Sequence, residues 1–214
     1  MTGRRQWVAH CSRAALAALI VRPLPLAAAP ARKLLVVGDS LSAEYGLARG
    51  SGWVALLEKR LAETGRRYEV FNASISGDTT AGGLSRLPAL LKEHRPSLVV
   101  IELGGNDALR GMPLAHTRDN LRAMVRAVKA AKAKPLLVGM QVPPNYGARY
   151  GREFFQLFAE LAKEEGAALA PFLLAGVADR PDAEAWFQPD RIHPLARAHP
   201  VMLDNVWAAL KPLL

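Results

Sequence analysis

A chain of 214 residues, half of them hydrophobic, can bury one full core and is too apolar for a disordered or fibrous protein. Its formal charge of +9 falls to +5 without residues 1 to 30, because Arg4, Arg5, Arg13 and Arg22 lie there with no acid. What remains is only moderately basic, which argues against nucleic acid as a partner. The longest apolar run near the start, Ala14 to Val21, falls short of the roughly 18 residues an integral membrane segment needs.

Residues 1 to 30 combine a basic start, an alanine and leucine stretch and Ala27-Ala28-Ala29, the pattern of an export signal. Cleavage is expected near Ala29, with the mature chain in the periplasm or secreted; a disordered basic leader is the competing reading. Cys11, the single cysteine, lies in this leader, so the mature chain would have no disulfide, thiol nucleophile or thiolate metal site. Serine must then carry any covalent chemistry. Residues 31 to 214 contain no repeat, low-complexity tract or linker, and are expected to form a single domain.

Strands are expected at Lys33 to Val37, Tyr68 to Ala73, Leu98 to Leu103, Leu136 to Met140 and Ala167 to Phe172, each a short apolar run. Helical spacing appears in Leu121, Met124, Val125 and Val128, in Phe154, Leu157, Phe158 and Leu161, and in Leu203, Val206, Trp207 and Leu210. Pro113 and Pro200 suit a first helical turn. Pro88, inside Leu84 to Leu91, predicts a late helix start or a kink. Arg110, Arg118, Arg122 and Arg126 read as a solvated helix face. Alternating strands and helices predict an α/β protein, a three-layer α/β/α sandwich around a parallel sheet, with ligands beyond the carboxyl ends of its strands.

Three peptides fall at such strand ends: Gly38-Asp39-Ser40-Leu41-Ser42, Gly104-Gly105-Asn106-Asp107 and Asp190-Arg191-Ile192-His193-Pro194. Ser40, after a tight turn, stands where a nucleophile would, although Gly-Asp-Ser by itself more often caps a helix. Asp190 and His193, three apart, can share one turn, the carboxylate accepting from Nδ1 and leaving Nε2 to face a serine. The bland alternative is a turn-capping aspartate beside a surface histidine. Asn106 offers a side-chain NH2 and Gly77 an unobstructed backbone NH to an oxyanion, with the NH of Ser40 completing the hole; both glycine-rich segments also read simply as turns. His10, His94, His116 and His199 lack a comparable carboxylate in sequence and are expected at the surface.

In order and spacing, Gly38-Asp39-Ser40-Leu41, Gly77, Gly104-x-Asn106-Asp107 and Asp190-x-x-His193 resemble the four sequence blocks of the SGNH (GDSL) hydrolases. Asn72 to Thr79, Leu87 to Lys92, Glu102 to Asp107 and Asn145-Tyr146-Gly147-x-Arg149-Tyr150 are similar, more narrowly, to the bacterial multifunctional acyl-CoA thioesterases, also described as protease I and lysophospholipase. The resemblance implies a flavodoxin-like fold with a central five-stranded parallel sheet. It further implies Ser40 as nucleophile, His193 as base and then acid, Asp190 as its orienting partner, and Ser40, Gly77 and Asn106 as the oxyanion hole. No metal or organic cofactor is implied; the partner is a small-molecule acyl ester or thioester, and a monomer is expected.

Leu109, Val142, Tyr146 and Phe154 are candidates to line an acyl chain. Glu44 and Arg191 depart from the glycines of the family, and both are expected near the site, where charge could narrow the pocket or attract anionic head groups. The loop Val142-Pro143-Pro144-Asn145 also departs. A carbohydrate O-acetyl esterase and a non-catalytic binding protein keeping the fold are the alternatives; a nucleotide-binding domain is disfavoured, since no Gly-x-Gly-x-x-Gly follows the first strand.

Overall fold

The computed structural model describes residues 31–214; the leader, with its cleavage site, Cys11 and His10, lies outside the described residues. Five strands, β1 (Arg32–Gly38), β2 (Tyr68–Asn72), β3 (Leu98–Glu102), β4 (Lys134–Val138) and β5 (Ala168–Ala170), form one sheet. Its order is β2-β1-β3-β4-β5 and every pairing is parallel. The helices are α1 (Trp53–Glu63), α2 (Thr80–His94), a short α3 (Gly105–Leu109), α4 (Leu114–Ala130), α5 (Ala148–Glu165) and α6 (His199–Leu210). This is the expected α/β sandwich.

Both faces of the sheet are covered, so its central strands are apolar on successive residues instead of alternating. Leu35, Val37, Val99 and Ile101 point into one core with Leu121, Met124, Phe154 and Phe158 from α4 and α5. Leu34, Val36, Leu98 and Val100 point into the other, with Trp53, Leu57, Met202 and Val206 from α1 and α6. The chain leaves β1 through α1 on one face and reaches β3 through α2 on the other. That reversal opens a crevice at the carboxyl ends of β1 and β3, the place where such sheets hold ligands.

Several local expectations are corrected. The helix over Leu84 to Leu91 does not start late: α2 begins at Thr80, with Thr79 as its cap accepting the Gly82 N–H. Pro88 costs the bond to the Leu84 carbonyl, but Leu87 and Leu91 bury on one face, and that packing outweighs the missing bond. Arg110 ends α3 and does not belong to α4. Arg118, Arg122 and Arg126 do lie along α4, but they pair with Glu160, Glu164 and Glu165 of α5 and so bridge two helices. Trp207 is only partly buried, its ring covered by the Arg60 guanidinium at 5.5 Å. β4 starts two residues earlier than expected, and β4 and β5 end at Val138 and Ala170.

Gly139 explains where β4 stops. A Cβ there would lie 2.1 Å from the Pro171 carbonyl oxygen, so the chain crosses the end of β5 in backbone contact. Gly139→Ala is expected to lower unfolding free energy by about 1–3 kcal/mol, since backbone must move to admit the methyl. Urea denaturation of the variant against wild type checks this.

Candidate active site

Ser40 leaves the end of β1 in a turn fixed from beneath. The Asp39 N–H donates to Glu102 Oε2 at 3.3 Å, and the Ser42 hydroxyl donates to the same oxygen at 2.6 Å. Trp53 Nε1–H donates in turn to Ser42 Oγ at 3.2 Å. Asp39 is not a helix cap. Its Oδ1 accepts the Leu41 N–H at 3.0 Å, and its Oδ2 accepts from Asn106 Nδ2 at 3.1 Å, joining the turn after β1 to the start of α3.

His193 reaches Ser40 from a loop 153 residues further on. Its Nε2 lies 2.8 Å from Ser40 Oγ, and its Nδ1 lies 2.7 Å from Asp190 Oδ2. The loop is shaped by its own bonds. Arg191 N–H donates to the Gln188 carbonyl, Gln188 N–H to the His193 carbonyl at 2.7 Å, and Asp190 Oδ1 accepts the N–H groups of Ile192 and His193. Pro189 occupies the second position of this turn, which its fixed φ suits. Arg191 follows at φ 60°, the left-handed region that favours glycine. The Tyr45 ring packs on the imidazole, with centroids 4.3 Å apart.

Ser40, Asn106 and His193 line one cavity of about 500 Å³, together with Leu109, Val142 and Phe172. Tyr146 does not line it; its hydroxyl donates to the Leu109 carbonyl at 3.2 Å and so supports the wall from behind. Phe154 is wholly buried core, edge-on to Phe158. Gly77 lies on an exposed loop outside the cavity lining, tied to the end of β1 by the bond from Ile75 N–H to the Gly38 carbonyl, 3.0 Å. Its own φ is +80°, and its carbonyl accepts from Arg110 Nη2. Among the described residues, neither the Ser40 nor the Gly77 N–H has a hydrogen-bond acceptor. Also among the described residues, no group of three or more His, Cys, Asp and Glu side chains could hold a metal ion.

One expectation about charge and one about histidine change. Glu44 faces away from this cavity: its carboxylate accepts the N–H groups of Gly50 and Gly52 and lines a separate cleft beside Val54 and Val70. His199 is buried, not at the surface, because it serves as a cap. The Trp53 N–H, which opens α1 and has no partner within its helix, donates to His199 Nδ1 at 3.0 Å. His94 is half-buried against Phe71, and His116 is exposed.

Sequence reasoning missed Asp39, Ser42, Glu102 and Trp53. Burial pushes the Asp39 carboxyl up to about 6, against the Leu41 N–H, His193 and Asn106, which favour the carboxylate. Burial, and then the charge of Asp39, hold Glu102 well above the ordinary range. Burial also acts upward on Asp190, but the N–H groups of His193 and Ile192 outweigh it and leave this carboxyl below its usual value. A serine hydroxyl bonded to an imidazole, itself oriented by a carboxylate kept ionised, is an arrangement suited to acyl transfer.

Residues 36–201 match the model of the GDSL-like lipase/acylhydrolase family. The chain is 56% identical over 186 residues to esterase TesA of Pseudomonas aeruginosa, covering 87% of this chain and 91% of that protein. It is 45% identical over 190 residues to the thioesterase 1/protease 1/lysophospholipase L1 of Escherichia coli, covering 89% and 88%. The crystal structure of TesA superposes with a TM-score of 0.82, covering 86% of this chain and 100% of that one.

The Asp39 shift carries a sign that can be measured. A carboxyl raised in the folded state binds its proton more tightly there than when unfolded, so its stabilisation is complete below the unfolded value and is lost as pH rises through about 6. Relative to Asp39→Asn, which cannot titrate, wild type is therefore expected to gain stability between about pH 7 and about pH 5, read from urea midpoints at both values. A difference between the two proteins that is independent of pH counts against the shift.

Proposed function

The chain belongs to the GDSL-like lipase/acylhydrolase family and is a hydrolase of ester bonds, and from that premise we propose that Ser40 is its nucleophile, with His193 as general base and Asp190 as its orienting carboxylate. The observation that carries the reading is the line from Ser40 Oγ through His193 to Asp190 Oδ2, with bonds of 2.8 and 2.7 Å. Ser40 Oγ attacks the acyl carbon while its proton passes to Nε2, and Asp190 stabilises the imidazolium. Nε2–H then protonates the leaving oxygen or sulfur. Water, activated by the same nitrogen, releases the acid from the acyl-enzyme.

The developing oxyanion is met by the N–H groups of Ser40 and Gly77 and by the hydrogen of Asn106 Nδ2 not engaged with Asp39. Asp39 thereby sets the orientation of Asn106. Support for long acyl groups comes from the apolar wall of Leu109, Val142, Phe172 and Leu174 beside Ser40, with Tyr146 bracing Leu109. Aryl esters, acyl thioesters and lysophospholipids are the substrates this wall suits. Residues 31–214 act as one catalytic domain and as a monomer, behind an export leader that places the enzyme in the periplasm or outside the cell. The containment of both cores within those residues supports the first point, and the acid-free basic leader supports the export.

Asn106→Ala is expected to lower kcat by about a hundredfold to a thousandfold with little change in stability, and unchanged turnover would remove Asn106 from the hole. Asp190→Asn should cost about ten thousandfold in kcat through the wrong imidazole tautomer; a loss under about tenfold points to another orienting group. Rates on nitrophenyl esters of increasing acyl length should rise beyond acetate, whereas a preference for acetate would favour an O-acetyl esterase.

A further inference from the structure

Among the described residues, Arg191 is the one arginine or lysine lining the cavity that holds Ser40, a cavity also lined by three acids, Asp39, Asp179 and Glu184. Its only ion-pair partner among the described residues is Glu184, at 3.5 Å, with the two side chains 76% and 80% exposed. Arg118, Arg122 and Arg126 of α4, by contrast, each have at least one bond of 2.5 to 2.8 Å. The bonds that shape the turn run through the Gln188 and Arg191 backbones and the Asp190 carboxylate, so the guanidinium contributes nothing to it. At φ 60° an arginine is also disfavoured where glycine would rest without strain. A strained, loosely paired cation in the wall of the cavity that holds Ser40 needs a reason outside the fold.

We propose that Arg191 binds an anionic group, a carboxylate or phosphoryl, carried on the leaving side of the ester, and so selects substrates with negatively charged leaving groups. The assignment of side follows from the chemistry. His193 Nε2 must deliver its proton to the leaving oxygen or sulfur, so the leaving group lies over the imidazole, on the loop that also carries Arg191. Glu184 neutralises Arg191 in the resting site and is displaced when the anion arrives. The inference rests on the serine-hydrolase reading above.

The test compares kcat/KM for a neutral aryl butyrate and for the same ester with a carboxylate on the ring, in wild type, Arg191→Gly and Glu184→Gln. Arg191→Gly is expected to lower the ratio of charged to neutral ester by about fivefold, the scale of an exposed charge pair. Glu184→Gln should raise it, and high salt should erase both differences. A ratio unchanged in Arg191→Gly, whether the two rates hold or fall together, overturns the proposal. Wild type inert toward both esters strikes at the hydrolytic reading instead. Calorimetric titration with phenyl phosphate then decides the role of Arg191: weaker binding by Arg191→Gly supports it, and equal binding ends it.

Discussion

The end of β1 has no room for a side chain. A Cβ on Gly38 would stand 2.7 Å from Glu102 Oε2 and 2.8 Å from Ser42 Oγ, so the strand ends pressed against a buried carboxylate from its neighbour β3. The turn that carries Ser40 is arranged around that contact. Glu102 holds the Asp39 N–H and the Ser42 hydroxyl, which bends the chain so that Ser40 projects into the cavity. Asp39, held in the same turn, has both oxygens committed, one to Leu41 and one to Asn106. Two carboxylates buried side by side oppose folding through desolvation and mutual repulsion, as their raised proton affinities record. Their retention makes sense as geometry, because an apolar pair could fill the volume but could not aim an amide.

The histidine half is built independently, near the other end of the chain. A bridge between Phe187 and Pro194 closes a small loop, and the bonds within it set where Asp190 and His193 stand. The two halves meet through Gln188, whose Nε2 donates to the Tyr45 carbonyl at 2.9 Å, and through the Tyr45 ring on the imidazole. Gly46 allows the approach: a Cβ there would lie 2.2 Å from Gln188 Oε1. Glu44, at φ 59°, adopts the conformation a glycine would take without strain, and its carboxylate fastens the segment leading to α1. A charged residue at a glycine position therefore need not face the substrate. Glu44 anchors a loop, whereas Arg191 at φ 60° opens onto the cavity.

The sheet and its two cores were legible because buried parallel strands write themselves as short apolar runs and covering helices as one-sided stripes; Leu121, Met124, Val125 and Val128 all bury as their spacing implies. Element ends were less legible, since they depend on contacts between distant backbones, such as Gly139 against Pro171. The candidate site was legible where one peptide carries both parts, as with Asp190 and His193 three residues apart. It was illegible where partners come from separate strands. Glu102 is the one acid inside the apolar run Leu98 to Leu103, and its own peptide shows no partner for it. Only the register that sets it opposite Gly38 shows it buried.

The dipeptide His-Pro occurs twice, at His193-Pro194 and at His199-Pro200, and six residues of separation give opposite chemistry. His193 keeps both ring nitrogens in use, one on a carboxylate and one on a hydroxyl at the cavity wall. His199 opens α6 inside the second core, where burial acts to lower its proton affinity and the Trp53 N–H fixes Nδ1 as an acceptor. A neutral ring with that nitrogen occupied cannot relay a proton, yet it can cap a helix that has no side-chain cap of its own. Trp53 also donates its indole N–H to Ser42. The capping histidine thus steadies the residue that braces the turn beneath Ser40, so both histidines converge on one hydroxyl, one by contact and the other through the scaffold.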